Sequence, residues 1–221
     1  MTKIRGQTET ICQFQQMFVK ISGNMEEYQV SKQMNAHFFF AVKLPDETKE
    51  KLKEYMECVS LKLPFTRWVH HEDYHITLAF LGSAPEEKLQ KASRLIADSI
   101  RNEKTFPLYI SRLGVFGKQE TPRIFWCGTQ QDKHLQDLRL KVYSACQEAG
   151  FKLETRPFKP HITMARKWAG TGPFQQSLLD VNSPFKDGHL EFEASEVVLY
   201  QTHLDKSPKY ESIAIFPLLA E

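Results

Sequence analysis

One short pattern, His-Ile-Thr followed by an apolar residue and Ala, occurs twice in this sequence. The first copy begins at His75 and the second at His161, 86 residues further along the chain. Because successive side chains of a strand point to opposite faces, His75 shares a face with Thr77, and His161 shares a face with Thr163. Each strand would bury its aliphatic residues against a helix layer and present an imidazole and a hydroxyl elsewhere. The repeat predicts two related lobes that contribute one such strand each.

Two His–Thr pairs that face each other would suit the cleavage of a phosphodiester. One imidazole would take a proton from the attacking oxygen and the other would give a proton to the leaving oxygen, because histidine exchanges protons near physiological pH. The threonine hydroxyls would donate hydrogen bonds to the non-bridging phosphate oxygens, where negative charge grows in the transition state. This mechanism requires no metal ion.

Two other interpretations of these residues remain open. A single histidine beside a threonine on a strand is usually structural, and only the repetition of the pattern argues against that reading here. The run His70-His71-Glu72-Asp73, followed by His75, superficially suggests a zinc site. Its spacing matches neither H-E-x-x-H nor C-x-x-C, so we expect the run to form a solvated loop that leads into the strand.

Positive charge is concentrated around the second copy of the pattern. The window from Thr155 to Leu179 contains no Asp or Glu. Its basic residues are Arg156, Lys159, Arg166 and Lys167. Such a window would attract a phosphate backbone. Arg166 lies five residues after His161, so it reaches the same phosphate only if the strand ends, twists or bulges near Ala165.

Composition excludes several classes of protein. The chain has 221 residues with 41% apolar residues and a formal net charge of +2, which excludes a disordered chain and a surface that is basic throughout. Its four cysteines are far apart and favour free thiols in a reducing compartment. We find no apolar run long enough to span a bilayer and no signal peptide, so we expect a cytoplasmic protein that does not enter membranes.

Hydrophobic periodicity predicts an α+β fold. No glycine-rich phosphate loop follows a strand, which argues against nucleotide folds of the Rossmann or P-loop type. The expected strands are 37–43, 75–81, 108–115, 123–128, 161–165, 192–200 and 210–218. The expected helices are 46–60, capped by Asp46, 83–101, and 132–149, closed by Gly150.

The chain resembles the 2H phosphoesterase superfamily, and within it the bacterial and archaeal RNA 2',3'-cyclic phosphodiesterases, once called 2'-5' RNA ligases. The resemblance covers residues 35–218. It rests on the segments FFFAVKLP (38–45), YHITLAFLG (74–82), PRIFWCG (122–128) and FKPHITMAR (158–166), and on the closing strand. Residues 1–34 have no counterpart in the family, and we expect them to be an N-terminal extension, flexible or foreign to the family, before one bilobal domain at 35–221.

The resemblance implies a bilobal fold in which two antiparallel sheets face a central cleft, with helices outside and pseudo-two-fold symmetry. It also implies metal-independent hydrolysis of RNA 2',3'-cyclic phosphate ends, or of small 2',3'-cyclic nucleotides, to 2'-phosphomonoesters without a cofactor. By position in the motifs, His75 would be the proton donor and His161 the proton acceptor. Thr77 and Thr163 would hold phosphate oxygens, and Arg166 matches the arginine that follows the second motif.

Two alternative functions would use the same cleft. One is a nucleotide- or RNA-binding module without turnover, and the other is reversible 2'-5' joining of RNA ends. Two positions depart from the family: His37 stands where many members have Arg, and Thr202 stands where Ser is common. Candidate residues for stacking on a base are Phe39, Trp126 and Trp168.

Overall fold

The computed structural model describes residues 36–220, and the predicted extension at 1–34 lies outside the described residues. Within that range strands and helices follow one another as the hydrophobic periodicity predicts for an α+β chain. In chain order the elements are β1 Phe38–Lys43, α1 Asp46–Ser60, β2 Phe65–Trp68, a 3-10 turn His71–Asp73, β3 His75–Gly82, α2 Glu86–Ser99, β4 Phe106–Gly117, β5 Pro122–Thr129, α3 Lys133–Glu148, β6 His161–Trp168, α4 Ser177–Asn182, β7 Leu190–Ala194, β8 Glu196–Thr202 and β9 Tyr210–Pro217.

The strands form two antiparallel sheets, with the first histidine motif in one and the second in the other. The strand orders are β3-β1-β8-β9 and β2-β6-β5-β4-β7. The chain is interleaved between them: β2 comes early in the sequence but pairs with β6, whereas β8 from the end of the chain pairs with β1. Each lobe therefore contains strands from both halves of the sequence.

The two sheets repeat one arrangement, which confirms the predicted pseudo-symmetry. In the first sheet, β1 leads through α1 to its antiparallel neighbour β3, which carries His75. In the second sheet, β5 leads through α3 to its antiparallel neighbour β6, which carries His161. Both motifs thus begin the second strand of a strand–helix–strand unit.

The helix boundaries follow from local capping. Asp132 caps α3, because its carboxylate accepts a hydrogen bond from the backbone N–H of Leu135 at 2.8 Å. Gly150 follows that helix with φ +88°, a left-handed conformation that glycine adopts readily. The prediction that Asp46 caps α1 was wrong, since Asp46 is the first helical residue and Pro45 precedes it. The fixed φ of Pro45 already directs the chain into the helix, and the Asp46 carboxylate lies in the first turn, near the positive end of the helix dipole.

The helices and the sheets share one hydrophobic core. Leu52, Met56 and Val59 of α1 are buried, and so are Leu89, Ala92 and Ile96 of α2. Beneath the motifs, Ile76, Leu78, Ile162 and Met164 are all buried. The aliphatic face of each motif strand thus holds the strand in place while the opposite face stays available.

The structure divides one predicted strand and contains two elements that the sequence analysis did not predict. The predicted strand at 192–200 is two strands, β7 and β8, which belong to different sheets and meet at Ser195. Strand β2 and helix α4 were not predicted, because four and six residues are too few to display a period.

None of the helices in residues 36–220 is long and apolar enough to cross a membrane.

Candidate active site

The two sheets enclose a cleft of about 780 Å³ into which both motifs project. All five residues proposed from the sequence line this cleft: His75, Thr77, His161, Thr163 and Arg166. They come from β3 of one sheet and β6 of the other, so the cleft is shared between the lobes. The tertiary structure thus brings together residues that lie 86 positions apart in sequence.

The two imidazoles are oriented in the same way. Nδ1 of His75 lies 2.7 Å from the carbonyl oxygen of Asp73, and Nδ1 of His161 lies 2.7 Å from the carbonyl oxygen of Lys159. A carbonyl can only accept, so Nδ1 carries the proton that is donated. In each neutral ring Nε2 is therefore the unprotonated nitrogen, which can accept a hydrogen bond or a proton.

Each imidazole packs against aromatic rings of its own sheet. The Phe39 ring lies 4.7 Å from the His75 ring, between ring centroids, and is tilted 31° to it. The Phe116 ring meets the His161 ring edge-on at 4.8 Å. Phe39 lines the cleft but is only 3% exposed, so very little of its ring is accessible to a base. These contacts fix the ring planes of both histidines.

The Thr77 hydroxyl lies within hydrogen-bond distance of Nε2 of His75. Its Oγ1 is 3.1 Å from Nε2 of His75. Thr163 occupies the corresponding place in β6 and also lines the cleft. Because Nδ1 of neutral His75 carries the proton, the Thr77 hydroxyl donates to Nε2 in this structure. When Nε2 is protonated, the same hydroxyl can turn to donate to an oxygen of a bound phosphate.

A β-bulge turns Arg166 into the cleft. For Arg166 to face the same side as His161, the sequence required the strand to end, twist or bulge near Ala165. Phe125 and Trp126 are neighbours on β5, but they pair with Ala165 and Thr163 of β6, so Met164 is the extra residue. The extra residue reverses the alternation of side chains, and Thr163 and Arg166 then face the same side. Strand β3 has the same bulge at Leu78, because Phe40 pairs with Ala79 and Ala41 with Thr77.

At the position equivalent to Arg166, the first lobe carries Phe80. The Phe80 side chain lines the cleft and is 55% exposed, and its ring lies 5.8 Å from that of His37. The two halves of the cleft therefore differ in chemistry, with a guanidinium on one side and an exposed aromatic ring on the other.

Burial lowers the pKa of both histidines. The pKa of His75 falls to about 4, chiefly because its ring is removed from water, and the charges of His161 and Arg166 lower it further. Burial also lowers the pKa of His161, with Arg166 acting in the same direction, while the hydrogen bond to Lys159 opposes both. Arg166 thus acts electrostatically on both imidazoles, which places its charge between the two lobes.

Most of the predicted basic window contributes to the cleft. Arg156, Lys159 and Arg166 line it, whereas Lys167 does not. The cleft contains one further cation that the sequence analysis missed, Arg139 of α3. Its guanidinium stacks on the Tyr143 ring at 3.9 Å, and burial lowers its pKa. Arg139 lies outside the basic window, and only the packing of α3 against the cleft reveals it.

The run His70-His71-Glu72-Asp73 is not the solvated loop that we expected. It forms a 3-10 turn in which the Asp73 carboxylate is buried. That carboxylate accepts hydrogen bonds from the backbone N–H groups of Lys209 and Tyr210, at 2.9 to 3.0 Å. The turn is therefore a structural anchor between the start of β9 and the His75 strand.

The side chains of this turn also diverge from one another. His71 pairs with Glu50 of α1 at 2.8 Å, and His75 donates to a backbone carbonyl. Within residues 36–220, no group of three or more His, Cys, Asp or Glu side chains is arranged to hold a metal ion.

The other aromatic candidates lie away from the catalytic cleft. Trp168 packs against Phe65 and Phe174, and its indole N–H donates to the carbonyl of Gly172. Trp126 lines an adjoining cavity rather than the cleft itself. Thr202 does line the cleft, so the hydroxyl at that position is retained, whereas His37 is exposed at the edge beside Phe80.

Two interleaved antiparallel sheets, with one His–Thr motif in each facing a common cleft, define the 2H class of phosphoesterases. A family model described as LigT like phosphoesterase matches residues 42–126 and 128–210. The chain belongs to this family of LigT-like phosphoesterases.

Curated relatives match most of the chain. It is 45% identical over 184 residues to an RNA 2',3'-cyclic phosphodiesterase of Geobacillus stearothermophilus, and the match covers 83% of this chain. The chain spans 58% of the length of that relative. It is 35% identical over 182 residues to an RNA 2',3'-cyclic phosphodiesterase of Bacillus subtilis, covering 82% of this chain and 96% of the relative.

Solved structures agree with the fold. E. coli LigT complexed with 3'-AMP is 25% identical, with a TM-score of 0.65, and the match covers 82% of this chain and 97% of that one. A protein of Thermus thermophilus is 26% identical, with a TM-score of 0.65, and the match covers 84% of this chain and 99% of that one.

Proposed function

We propose that this protein hydrolyses 2',3'-cyclic phosphate ends of RNA to 2'-phosphomonoesters by general acid–base catalysis with two histidines. The observation that carries the proposal is the matched orientation of His75 and His161 in one cleft. In each, Nδ1 donates to the backbone carbonyl two residues before it. Nε2 is then the nitrogen that can meet the substrate in the cleft, and in His75 it lies 3.1 Å from the Thr77 hydroxyl that the substrate would share. Two groups that can each exchange a proton near neutral pH are what an in-line displacement at phosphorus requires.

The reaction has one bond-forming and one bond-breaking event. A water oxygen attacks the phosphorus, the bond between phosphorus and O3' breaks, and the phosphate stays on O2'. Nε2 of His161 accepts the proton of the water, and Nε2 of His75 donates a proton to O3'. The histidines then return to their starting states by exchanging protons with solvent. We assign donor and acceptor by the position of each motif in the family.

The electrostatics of the cleft suit an anionic substrate. The cyclic phosphate carries one negative charge, and more charge develops on its non-bridging oxygens as water attacks. Thr77 and Thr163 line the cleft beside the histidines. The positive charge of Arg166 acts on both His75 and His161. A bound anion raises the pKa of a nearby imidazole, so substrate binding would favour the protonated form of His75 that a proton donor needs.

The relatives support the same activity. The two curated relatives are named RNA 2',3'-cyclic phosphodiesterases, and one solved relative of the same fold was crystallised with 3'-AMP. We extend that activity to this chain because both His–Thr pairs and Arg166 line its cleft. RNA ends and 2',3'-cyclic nucleotides are the partners that the proposal implies.

A hydrolysis assay in EDTA tests the proposal. An oligonucleotide with a 2',3'-cyclic phosphate end is offered to the wild type and to the variants His75→Gln and His161→Gln, and the products are separated by chromatography. We expect a 2'-phosphate product from the wild type and a loss of about 10²- to 10⁴-fold in kcat/KM for each variant. His189→Gln is the matched control, because His189 is exposed and lines neither the cleft nor the adjoining cavity.

Each alternative function has its own outcome in this assay. Tight binding of the oligonucleotide by calorimetry without any product would indicate a binding module. A 2'-5' linked product from a donor and an acceptor strand would indicate end joining. Loss of activity in EDTA would contradict the metal-independent mechanism, and a 3'-phosphate product would contradict the assignment of O3' as the leaving oxygen.

A further inference from the structure

A second cavity, of about 870 Å³, adjoins the catalytic cleft. Phe116, Phe158 and Lys159 line both spaces, so the two cavities are neighbours that share one border. The connection lies on the His161 side, because Phe116 contacts the His161 ring and the Lys159 carbonyl accepts from it. A chain bound at His161 would therefore need to pass only the shared residues to reach the second cavity.

The floor of this second cavity is an aromatic surface that glycines make possible. Trp126 of β5 pairs directly with Gly114 of β4, and Gly128 follows Trp126 on the same face. A Cβ atom would come within 2.1 Å of the Trp126 ring at position 114 and within 2.6 Å of it at position 128. The indole thus lies against the backbone of the sheet, in space that only glycine leaves open.

Aromatic rings run without a break from the catalytic histidine to this floor. The Phe116 ring lies 4.8 Å from that of His161 and 5.1 Å from that of Trp126. Rings spaced in this way can receive successive unstacked bases, because every base has a π-face regardless of its identity.

The rim of the cavity carries unneutralised positive charge. Its cations are Arg112, Lys133 and Lys159, all exposed, and none of them takes part in the ion pairs found within residues 36–220. The carboxylate that lines the same cavity, Asp132, is engaged in capping α3.

A third cavity, near the start of the His75 strand, differs from the second in that its lysines form ion pairs. Its lysines are paired with carboxylates, Lys43 with Glu196 at 3.1 Å and Lys49 with Asp46 at 3.7 Å. Of these two cavities beside the cleft, the second is the one that combines free cations with an aromatic floor.

We propose that the second cavity binds the nucleotides that lie upstream of the cyclic phosphate, so that the preferred substrate is an RNA chain rather than a cyclic mononucleotide. The inference rests on the proposed function and adds the substrate class to it. A terminal 2',3'-cyclic phosphate leaves the RNA chain continuing only from its 5' side. Stacking on Phe116 and Trp126, together with phosphate contacts from Arg112 and Lys133, would hold that chain with little preference for sequence.

The test compares substrates of different length. We measure kcat/KM for a 2',3'-cyclic mononucleotide and for oligonucleotides of increasing length, using the wild type and the double variant Arg112→Gln/Lys133→Gln. The control is Lys91→Gln/Arg94→Gln, which removes the same two residue types from exposed positions of α2 that line none of these cavities. In parallel, the binding of a product oligonucleotide with a 2'-phosphate end is titrated at several salt concentrations.

The wild type should process oligonucleotides with higher kcat/KM than the mononucleotide. The Arg112/Lys133 variant should lose about tenfold on oligonucleotides at low salt, retain its mononucleotide activity, and show a salt slope of log affinity smaller by about 1.4. The Lys91/Arg94 variant should match the wild type in every measurement.

Equal effects on both substrates, or no change in the salt slope, would overturn the inference. The two proposals fail in different ways. If neither substrate is hydrolysed, the proposed function fails, while the binding titration still decides whether the second cavity holds RNA.

Discussion

At the scale of single residues, the two histidines are alike in orientation and different in surroundings. His75 stacks near Phe39 and meets the edge of Tyr210 at 5.1 Å, whereas His161 meets the edge of Phe116. Burial lowers both pKa values, and the fall to about 4 marks His75 as the more strongly affected of the two. The charges of His161 and Arg166 add to the effect of burial on His75.

The pH dependence of turnover follows from these shifts. Because both pKa values lie below 6.5 in the free protein, we expect a bell-shaped profile of kcat/KM whose maximum falls below pH 6.5. The profile of kcat reports the complex, in which the substrate anion raises both pKa values, so its maximum should lie at higher pH. Steady-state kinetics from about pH 4 to 9 with a saturating and a limiting substrate series measure both profiles. A flat profile across this range would contradict acid–base roles for the two histidines.

At the scale of elements, the turn before β3 links the first motif to the far end of the chain. The Asp73 carbonyl orients His75, while the Asp73 carboxylate holds the start of β9 through Lys209 and Tyr210. Tyr210 in turn packs against both Phe39 and His75. Asp73 therefore acts as a positioning residue for one half of the cleft.

Replacing Asp73 by Ala should destabilise the fold and weaken catalysis together. The change leaves two part-buried N–H groups without their acceptor, which costs about 1–3 kcal/mol of unfolding free energy. We expect a lower urea midpoint of unfolding. We also expect the pH profile of kcat/KM to shift, because His75 loses its packing against Tyr210. The control is Asp205→Ala, in the exposed loop before β9, which should change neither the urea midpoint nor the pH profile. A pH profile that keeps its wild-type shape would show that Asp73 supports only stability.

A second prediction at this scale concerns the glycine beneath Trp126. Gly114→Ala places a Cβ atom 2.1 Å from the indole ring, so the ring or the strand must shift. Overpacking of this kind costs about 1–3 kcal/mol, which denaturant unfolding would detect. Gly188→Ala is the control, because no atom lies within 4 Å of a Cβ placed there. If both variants unfold at the same denaturant concentration, the indole is not held against the sheet.

At the scale of the whole molecule, the interleaved sheets hold the catalytic groups together. Strand β2 crosses from the first half of the chain into the second sheet, and β8 and β9 return to the first. Separating the lobes would therefore break strand pairs in both sheets. The shape of the cleft depends on the whole fold rather than on a hinge between two independent halves.

Acid sensitivity is a property of this whole-molecule arrangement. His75 has a folded pKa of about 4 against an ordinary value of 6.5, so between these values the unfolded state binds more protons than the folded state. Stability is then complete above about pH 6.5 and falls as the pH drops, by at most about 1.4 kcal/mol per pH unit for each such group. Urea unfolding at about pH 7.5 and about pH 5, without phosphate, measures the difference.

The variant His75→Gln isolates this contribution. It removes the titrating group, so the difference in unfolding free energy between the two pH values should shrink. His161→Gln should reduce the difference less, since the pKa of His161 is lowered to a smaller extent. An undiminished difference in His75→Gln would show that other groups cause the acid sensitivity.

The sequence alone predicted the residues that line the cleft as the candidate site, and the general architecture. The repeated His-x-Thr pattern identified His75, Thr77, His161 and Thr163, because strand alternation ties residue types to faces without any tertiary information. Longer elements such as α1 and α3 were predictable, because a period of 3.6 residues is visible over four turns. The α+β class followed from the order of these elements.

Only the tertiary structure decided which distant residues meet. The bulge at Met164 turns Arg166 into the cleft. The segment that we expected to be a solvated loop is a turn with a buried Asp73. The predicted strand at 192–200 breaks at Ser195 into strands of two different sheets. The adjoining cavity is likewise built from β4, β5 and the start of α3, which are separate in sequence. Periodicity describes how one element repeats along itself, whereas these features depend on pairing register and on packing between elements, which local sequence does not encode.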